Sequence, residues 1–382
     1  MDIKQIDKQY IANTYNRADI VIDHANGALL YDTDGKEYID LCGGIAVNIF
    51  GYNDEVWKKA VIDQLCKVQH TSNLYYTQPQ AELAQLLCER TGFKKVFFSN
   101  SGAEANECAI KCARKYSSDK YGEGQNIIIT LKNSFHGRTI TTLSATGQAD
   151  FHKHFGPFTP GFMHVSASDI SELKDALQKE QGVCAVMIEL IQGEGGLNVL
   201  DIDFVSAVSE LCKNKDILLI VDEVQSGNGR TGKLYCYEHY GIMPDIITTA
   251  KGLGGGLPIG ATLLGEKVKD VLTYGTHGST FGGNPVAAAG ALSIIKRIDD
   301  ALLQSVLKKG EYVKSQLKNV TGLGLMLGVT TKKPVAEVIN ECRAKGVIVL
   351  SAKDKVRLLP PLNITEAQLE KAISVLKGVI EN

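Results

Sequence analysis

Three groups in this 382-residue sequence combine reactive chemistry with a setting that could use it. Lys251 follows a strand-like segment at 245–250 and precedes Gly252-Leu253-Gly254-Gly255-Gly256, so an external molecule has room to approach its amine. Asp222 ends the run Ile217-Leu218-Leu219-Ile220-Val221, with Glu223 directly behind it. A carboxylate at the mouth of a buried strand is costly unless a cation or hydrogen-bond donor faces it, so something positive is expected opposite Asp222. Asn100-Ser101-Gly102-Ala103-Glu104 follows a strand-like run at 96–99 and opens a helical stretch. Free backbone N–H groups and the positive end of the helix dipole converge there, and Gly102 clears the side chain, which makes an anion cradle. Ser101 and Glu104 also have the spacing of a plain capping box, and a lone lysine before glycines is ordinarily a loop lysine. Taken one at a time, the residues leave both readings open.

The elements that must position these groups follow from the surrounding pattern. Short β-branched runs at 96–99, 127–130, 185–188, 217–221 and 246–249 alternate with amphipathic stretches at 80–90, 103–116, 168–180 and 203–214. That alternation predicts an α/β fold, a mostly parallel sheet covered by helices. Ligands of such sheets lie at the carboxyl ends of the strands, where Asn100, Asp222 and Lys251 all fall. After Gly283-Asn284-Pro285 come an Ala-rich helical segment, a helix at 302–318, strand candidates near 323–330 and 346–350, and a final helix at 365–380. A smaller α+β domain is expected from them. The organisation is read as an N-terminal segment, 1–54, contributing to the small domain, a large domain at 55–278 that holds the cofactor, and the C-terminal small domain at 279–382.

An anion cradle, a strand-end carboxylate and a strand-end amine, in that order, meet the three needs of pyridoxal 5'-phosphate: a phosphate site, a carboxylate to keep the ring nitrogen protonated, and an amine to condense with the aldehyde. With these parts together the sequence resembles the class III aminotransferases of the fold-type-I pyridoxal phosphate enzymes, over nearly the whole chain. The resemblance is carried by Ser-Gly-Ala-Glu-Ala-Asn-Glu at 101–107, Phe-His-Gly-Arg-Thr at 135–139, Gln-Gly-Glu-Gly-Gly at 192–196, Asp-Glu-Val-Gln at 222–225, Lys251 with its glycines, and Ser-Thr-Phe-Gly-Gly-Asn-Pro at 279–285. Leu190 departs from it where relatives often carry proline, which bears on the turn before Gln192 and not on the chemistry. The resemblance implies that Lys251 carries the cofactor and shuttles the proton between the amine carbon and the cofactor carbon. It implies that Asp222 pairs with the pyridine nitrogen, Gln225 hydrogen-bonds the ring hydroxyl and Phe135 stacks on a ring face. Ser101, Gly102 and Ala103 are placed at the phosphate and Val224 among the cofactor contacts. Thr280 is placed at the phosphate of a neighbouring subunit, so that a homodimer shares its active sites.

The same resemblance assigns Arg138 to the substrate carboxylate remote from the reacting amine, with Ser279 nearby; its planar fork suits a bidentate carboxylate contact. Arg357 lies in Val356-Arg357-Leu358-Leu359-Pro360-Pro361, an apolar setting where an unpaired guanidinium is expensive. The family pattern supplies Glu194 as its partner. Paired, the two leave a pocket for an ω-amine; separated, Arg357 holds the α-carboxylate of glutamate or 2-oxoglutarate. For either arginine alone a structural salt bridge remains an equal reading. The implied activity is a ping-pong transfer of the δ-amino group of N2-acetyl-L-ornithine to 2-oxoglutarate, giving N-acetyl-L-glutamate 5-semialdehyde and L-glutamate in arginine biosynthesis. This finer likeness rests on the compact length, on His70-Thr71-Ser72-Asn73-Leu74-Tyr75-Tyr76, and on Gln78-Pro79-Gln80. Succinyl-diaminopimelate, ornithine and 4-aminobutyrate are the alternative donors, and Tyr15 and Asn73 are candidates for lining the donor pocket. The Arg357 and Glu194 pair disfavours a racemase or mutase on the same fold. The presence of Lys251 and Asp222 disfavours a non-catalytic protein.

Composition narrows the classes further. Apolar residues make up 44% and charged residues 22%, as in ordinary globular proteins, and Lys+Arg 41 against Asp+Glu 43 leaves a net charge of -2. No global field draws the chain to nucleic acid or to an acidic membrane, and its apolar runs are far shorter than the ~18 residues of a membrane span. The first residues are polar and mixed in charge, which predicts a cytoplasmic protein. Nine cysteines are scattered without a C-x-x-C pair and read as reduced, mostly buried thiols. No metal is assigned: Cys108 and Cys112 at i, i+4 read as core packing, and His152 and His154 as surface residues.

Overall fold

The computed structural model describes residues 2–381. Its central sheet has seven strands in the order Lys95–Ser99, Gly260–Leu264, Ile246–Thr249, Leu218–Asp222, Val183–Ile188, Ile127–Leu131 and Phe162–Val165. Gly260–Leu264 runs antiparallel to both of its neighbours, and the remaining strands run parallel. The inner strands are buried along their whole length, which is why they read as β-branched and apolar runs and not as alternating ones. Parallel register sets Asp222 beside Thr248, so Asp222 and the chain entering Lys251 emerge at one edge of the sheet.

Helices cover the sheet. Gly102–Tyr121 lays Ala105, Cys108, Ala109, Cys112 and Ala113 against the strands, a helical spacing of small residues that lets its backbone approach closely. Cys108 and Cys112 thus pack in the core as expected. Ile170–Lys179 and Ile202–Lys215 bury Leu173, Leu177, Phe204 and Val208 in the same way. Pro285–Ile295 packs on the helices Glu55–Leu65 and Gln78–Thr91.

Two four-stranded sheets and a two-stranded one, Ile191–Gln192 with Asn198–Val199, complete the chain. Ile22–Asn26, Leu29–Asp32 and Glu37–Asp40 form an antiparallel meander, and Val347–Ile348 adds to it in parallel. Val320–Leu323, Met326–Thr330, Lys355–Leu358 and Leu350–Ala352 form the other, wholly antiparallel. The helices Asp300–Gln316, Val335–Ala344 and Glu366–Glu381 close over them around Val313, Leu327, Val338, Val356 and Leu376. Arg230, fully buried, ties this part to the central sheet by donating from Nη1 to the carbonyls of Leu325 (3.2 Å) and Pro360 (2.5 Å). That contact fixes where the strand bearing Arg357 lies. No helix among the described residues is long and apolar enough to cross a membrane. Cys66 is exposed and Cys88 half-buried, while the other cysteines are buried and all are free.

Candidate active site

Asp222 is buried at the end of its strand. One carboxylate oxygen, Oδ2, accepts from Asn106 Nδ2 and from His136 Nδ1, each at 2.8 Å; the other, Oδ1, accepts from the Val224 N–H at 3.0 Å. The donors expected opposite Asp222 are therefore an imidazole, an amide and a backbone N–H. Asn106 is itself oriented, donating to the His136 carbonyl (2.7 Å) and accepting from Thr248 Oγ1 (2.6 Å). Such a network holds the carboxylate in one direction and leaves Oδ1 with a free lone pair. Asn106, His136 and Thr248 received no role from the sequence, although the first two stand inside the motifs at 101–107 and 135–139.

Lys251 opens a short 3-10 turn, Lys251–Leu253, with φ +43, a left-handed conformation that a lysine adopts only where its surroundings impose it. Asn228 supplies part of that constraint by donating to Thr249 Oγ1 (2.9 Å) and to the Ala250 carbonyl (3.2 Å). Among the described residues the Lys251 amine has no hydrogen bond or ion pair. Burial lowers its pKa, with the fields of Glu194, Arg357, Asp222 and Glu189 also acting on it. A lowered pKa enlarges the neutral, nucleophilic fraction of the amine.

At the start of Gly102–Tyr121 the helix is capped as the spacing of Ser101 and Glu104 predicts, and the N–H groups read as an anion cradle stay open. Ser101 Oγ caps the helix by accepting from the Glu104 N–H (3.2 Å), and Glu104 Oε2 accepts from the Asn100 N–H (2.7 Å). The Ser101 hydroxyl, expected among the phosphate contacts, is thus occupied within the chain. The N–H groups of Gly102 and Ala103 have no partner among the described residues and remain available to an anion. A Cβ on Gly102 would lie 2.7 Å from Val224 Cγ1, so Val224 floors the cradle and requires glycine above it.

Arg357 and Glu194 form an ion pair, and Arg357 Nη1 also donates to Gln225 Oε1 at 3.4 Å. Burial works to raise the Glu194 carboxyl, but the Arg357 guanidinium, with help from Lys251, outweighs it and holds the pKa below the usual range. The Arg357 Nε is buried without a partner. Glu189, to which the sequence gave no role, joins two segments: it accepts from the Phe135 N–H (2.7 Å) and from the Gly193 N–H (3.1 Å). Burial pushes its carboxyl above the usual range.

Phe135 is half-buried, with its ring against the edge of Phe151, and Arg138 is exposed beside them. Ser279 Oγ accepts from Asn100 Nδ2 (3.2 Å), which ties the segment at 279–285 to the cradle, and from the Gly282 N–H (3.0 Å). Asn73 Nδ2 braces the same segment through the carbonyls of Ser279 and Gly282. Thr280 is exposed and makes no side-chain hydrogen bond among the described residues, and Tyr15 is exposed against Arg17. The chain therefore gathers Lys251, Asp222, Glu194, Gln225 and Arg357 into one cluster, with Val224 linking Asp222 to Gly102. Thr280 and Tyr15 stay outside it.

These residues fit pyridoxal 5'-phosphate. Two open N–H groups stand where a Cβ would intrude, a fixed carboxylate keeps a lone pair free, and an amine without a partner lies within the field of that carboxylate. Among the described residues no cluster of three or more His, Cys, Asp or Glu side chains could hold a metal.

Comparison with known proteins identifies the family. The family model described as Aminotransferase class-III matches residues 10–380. Acetylornithine aminotransferase of Haemophilus ducreyi is 50% identical, the match covering 99% of this chain and 98% of that protein. N-acetylornithine aminotransferase from Stenotrophomonas maltophilia superposes with a TM-score of 0.85 at 33% identity, over 99% of this chain and 98% of that one. Ornithine aminotransferase from Toxoplasma gondii, described with partial occupancy of PLP at its active site, superposes with a TM-score of 0.93 at 32% identity, over 99% and 93%. The chain belongs to the class III aminotransferases, enzymes that depend on pyridoxal 5'-phosphate and share this α/β transferase fold.

Proposed function

We propose that the protein transfers the δ-amino group of N2-acetyl-L-ornithine to 2-oxoglutarate, giving N-acetyl-L-glutamate 5-semialdehyde and L-glutamate, a step of arginine biosynthesis. The observation that carries this reading is the ion pair between Glu194 and Arg357 acting on the unpartnered amine of Lys251. With its guanidinium neutralised, the pocket accepts a terminal amine that brings no carboxylate to that point. When Glu194 releases Arg357, the same point takes the α-carboxylate of glutamate or 2-oxoglutarate. The name of the Haemophilus ducreyi relative supports an N-acetylated donor over succinyl-diaminopimelate, ornithine or 4-aminobutyrate.

When bound, pyridoxal 5'-phosphate supplies an aldehyde and a ring that accepts the electrons released at the amine carbon. Gly102 and Ala103 bind its phosphate through their N–H groups, and Asp222, aimed by Asn106 and His136, holds the proton at the ring nitrogen. Gln225 serves the ring hydroxyl and Phe135 a ring face. Lys251 would hold the cofactor through its amine and, once freed by the incoming amine, its Nζ would take up and give back the proton of the amine carbon. Arg138, with Ser279 near the cradle, receives the carboxylate remote from the reacting amine.

A homodimer is part of this reading. Thr280 lies beside exposed Phe281, and His70 packs on that ring at 5.2 Å; Leu74, Tyr75 and Tyr76 are exposed on the neighbouring segment. A second copy covering this apolar surface would bring Thr280 to the partner's phosphate. We further read the chain as the N-terminal segment and two domains divided at 54 and 278, and place it in the cytoplasm, where buried free thiols persist.

The test is a single-turnover spectrum of the purified enzyme mixed separately with the four donors. Conversion of the cofactor band by N2-acetyl-L-ornithine in preference to the others supports the reading. Preference for another donor would keep the mechanism and replace the substrate.

A further inference from the structure

The Arg138 side chain is exposed and has no hydrogen bond or ion pair among the described residues, yet it does not stand free. Its Cζ lies 4.1 Å from the ring centroid of Phe151 and 5.5 Å from that of Phe135. The two rings brace each other edge to face, with centroids 5.7 Å apart and planes at 74°. Each is anchored from behind. Phe135 donates its N–H to Glu189; Phe151, on the one-turn helix Ala149–His152, follows Gln148, whose Nε2 donates to the Ser134 carbonyl at 3.1 Å. His152 Nε2, one residue on, meets the Leu143 carbonyl at 2.8 Å.

The shelf is also placed with respect to the cofactor cradle. A Cβ on Gly137 would lie 2.9 Å from the Ala103 Cβ and 2.4 Å from Thr142 Oγ1, so the backbone from which Arg138 branches presses directly on the start of the cradle helix. The cation over the Phe151 ring is held by the ring's quadrupole and not by a hydrogen bond, so its N–H groups are not spent within the chain. A long, flexible side chain is thereby oriented before any ligand arrives, so less freedom is lost when a carboxylate binds.

We propose that Phe151 is a positioning residue that determines specificity: its ring is the shelf on which Arg138 is held to receive the carboxylate of the amino donor remote from the reacting amine. This rests on the reading of Arg138 given above and adds to it the residue that makes the arginine selective. Neither the phosphate cradle nor the Glu194 and Arg357 pair requires Phe151.

The experiment compares holoenzymes carrying Phe151→Leu, Phe151→Trp and Arg138→Leu with the parent. The readout is the ratio of kcat/KM for a carboxylate-bearing donor, N2-acetyl-L-ornithine or whichever of the four donors reacts best, to kcat/KM for 1-aminopentane, which has an amine and no carboxylate. Phe151→Leu should lower this ratio about two- to fivefold, mostly through KM of the carboxylate-bearing donor, the range expected for loss of a cation–π contact at an exposed site. Phe151→Trp, with the better π face, should keep or raise it. A ratio that stays at the parent value in Phe151→Leu while falling in Arg138→Leu would overturn the proposal for Phe151 alone. A ratio unmoved in Arg138→Leu would overturn the reading of Arg138 on which it rests. Equal losses for both substrates in Phe151→Leu would assign Phe151 to support of Phe135 and likewise overturn it. Should Phe151→Leu not fold, the Phe151→Trp ratio decides: a fall of threefold or more counts against the shelf.

Discussion

Replacing Glu194 by Gln keeps the shape of the side chain and removes the charge that holds Arg357. The Arg357 side chain is 5% exposed and that of Glu194 27%, so the pair lies between two limits. A surface bridge contributes roughly 0.2–1 kcal/mol, and rupture of a fully dry one costs about 3–5 kcal/mol. A hydrogen bond to a charged group contributes about 1.5–3 kcal/mol, and roughly 2 kcal/mol suits this half-enclosed setting. Glutamate must open the pair before its α-carboxylate can take the guanidinium, and Gln225 at 3.4 Å offers Arg357 only weak compensation. Glu194→Gln should therefore strengthen apparent glutamate binding by about 30-fold, since each 1.4 kcal/mol is a factor of ten. The ω-amine donor should bind more weakly, because it now meets an uncompensated cation. The assay follows the cofactor band in the two half-reactions separately, as a function of glutamate and of N2-acetyl-L-ornithine concentration. Glutamate binding that is unchanged or weakened would refute the gating role of the pair.

Two further outcomes follow from packing and charge. Gly102→Ala places a methyl 2.7 Å from Val224 Cγ1; overpacking of this kind costs about 1–3 kcal/mol, so retention of pyridoxal 5'-phosphate in an absorbance titration should weaken about tenfold. Val224→Ala in the same chain should restore much of the loss, and normal retention in Gly102→Ala alone would contradict the assigned cradle. Glu223 is fully buried, and burial pushes its carboxyl up to about 7, although Ser226 and the Tyr237 N–H donate to it. An acid whose folded pKa is raised favours the folded state while protonated, so stability should fall as pH rises from about 4.5 to about 7, by up to ~3 kcal/mol. Glu223→Gln should flatten that fall in denaturant titrations at pH 5 and pH 8; identical slopes for variant and parent would rule it out.

The legible part of the fold was the part written in short β-branched and apolar runs. The strands at 183–188, 218–222 and 246–249 are buried on both faces, and their carboxyl ends mark Asp222 and Lys251. Gly260–Leu264 was missed because it is a short run of small and apolar residues after the glycine-rich turn, and its antiparallel pairing is set by the strands on either side of it. Phe162–Val165 was missed for a related reason: this edge strand is only partly buried. Within the site, Lys251 and Asp222 were singled out by their order behind the cradle at 100–104, since a lone lysine before glycines reads as an ordinary loop lysine. The groups that aim them were not. Asn106 lies on the inner face of a helix where a buried amide resembles core until its partner is known, and that partner, Asp222, lies 116 residues away. Glu189 differs from an ordinary buried acid only through its bonds to Phe135 and Gly193, which no local pattern announces.

The assignment of Lys251 as the residue that carries the cofactor supports every other role, and it can be read without turnover. The purified enzyme is loaded with pyridoxal 5'-phosphate, reduced with borohydride, digested and mapped by mass spectrometry. The account predicts a pyridoxyl adduct on the peptide containing Lys251, lost in Lys251→Ala. An adduct confined to another lysine, or none in a protein that binds the cofactor, would contradict it.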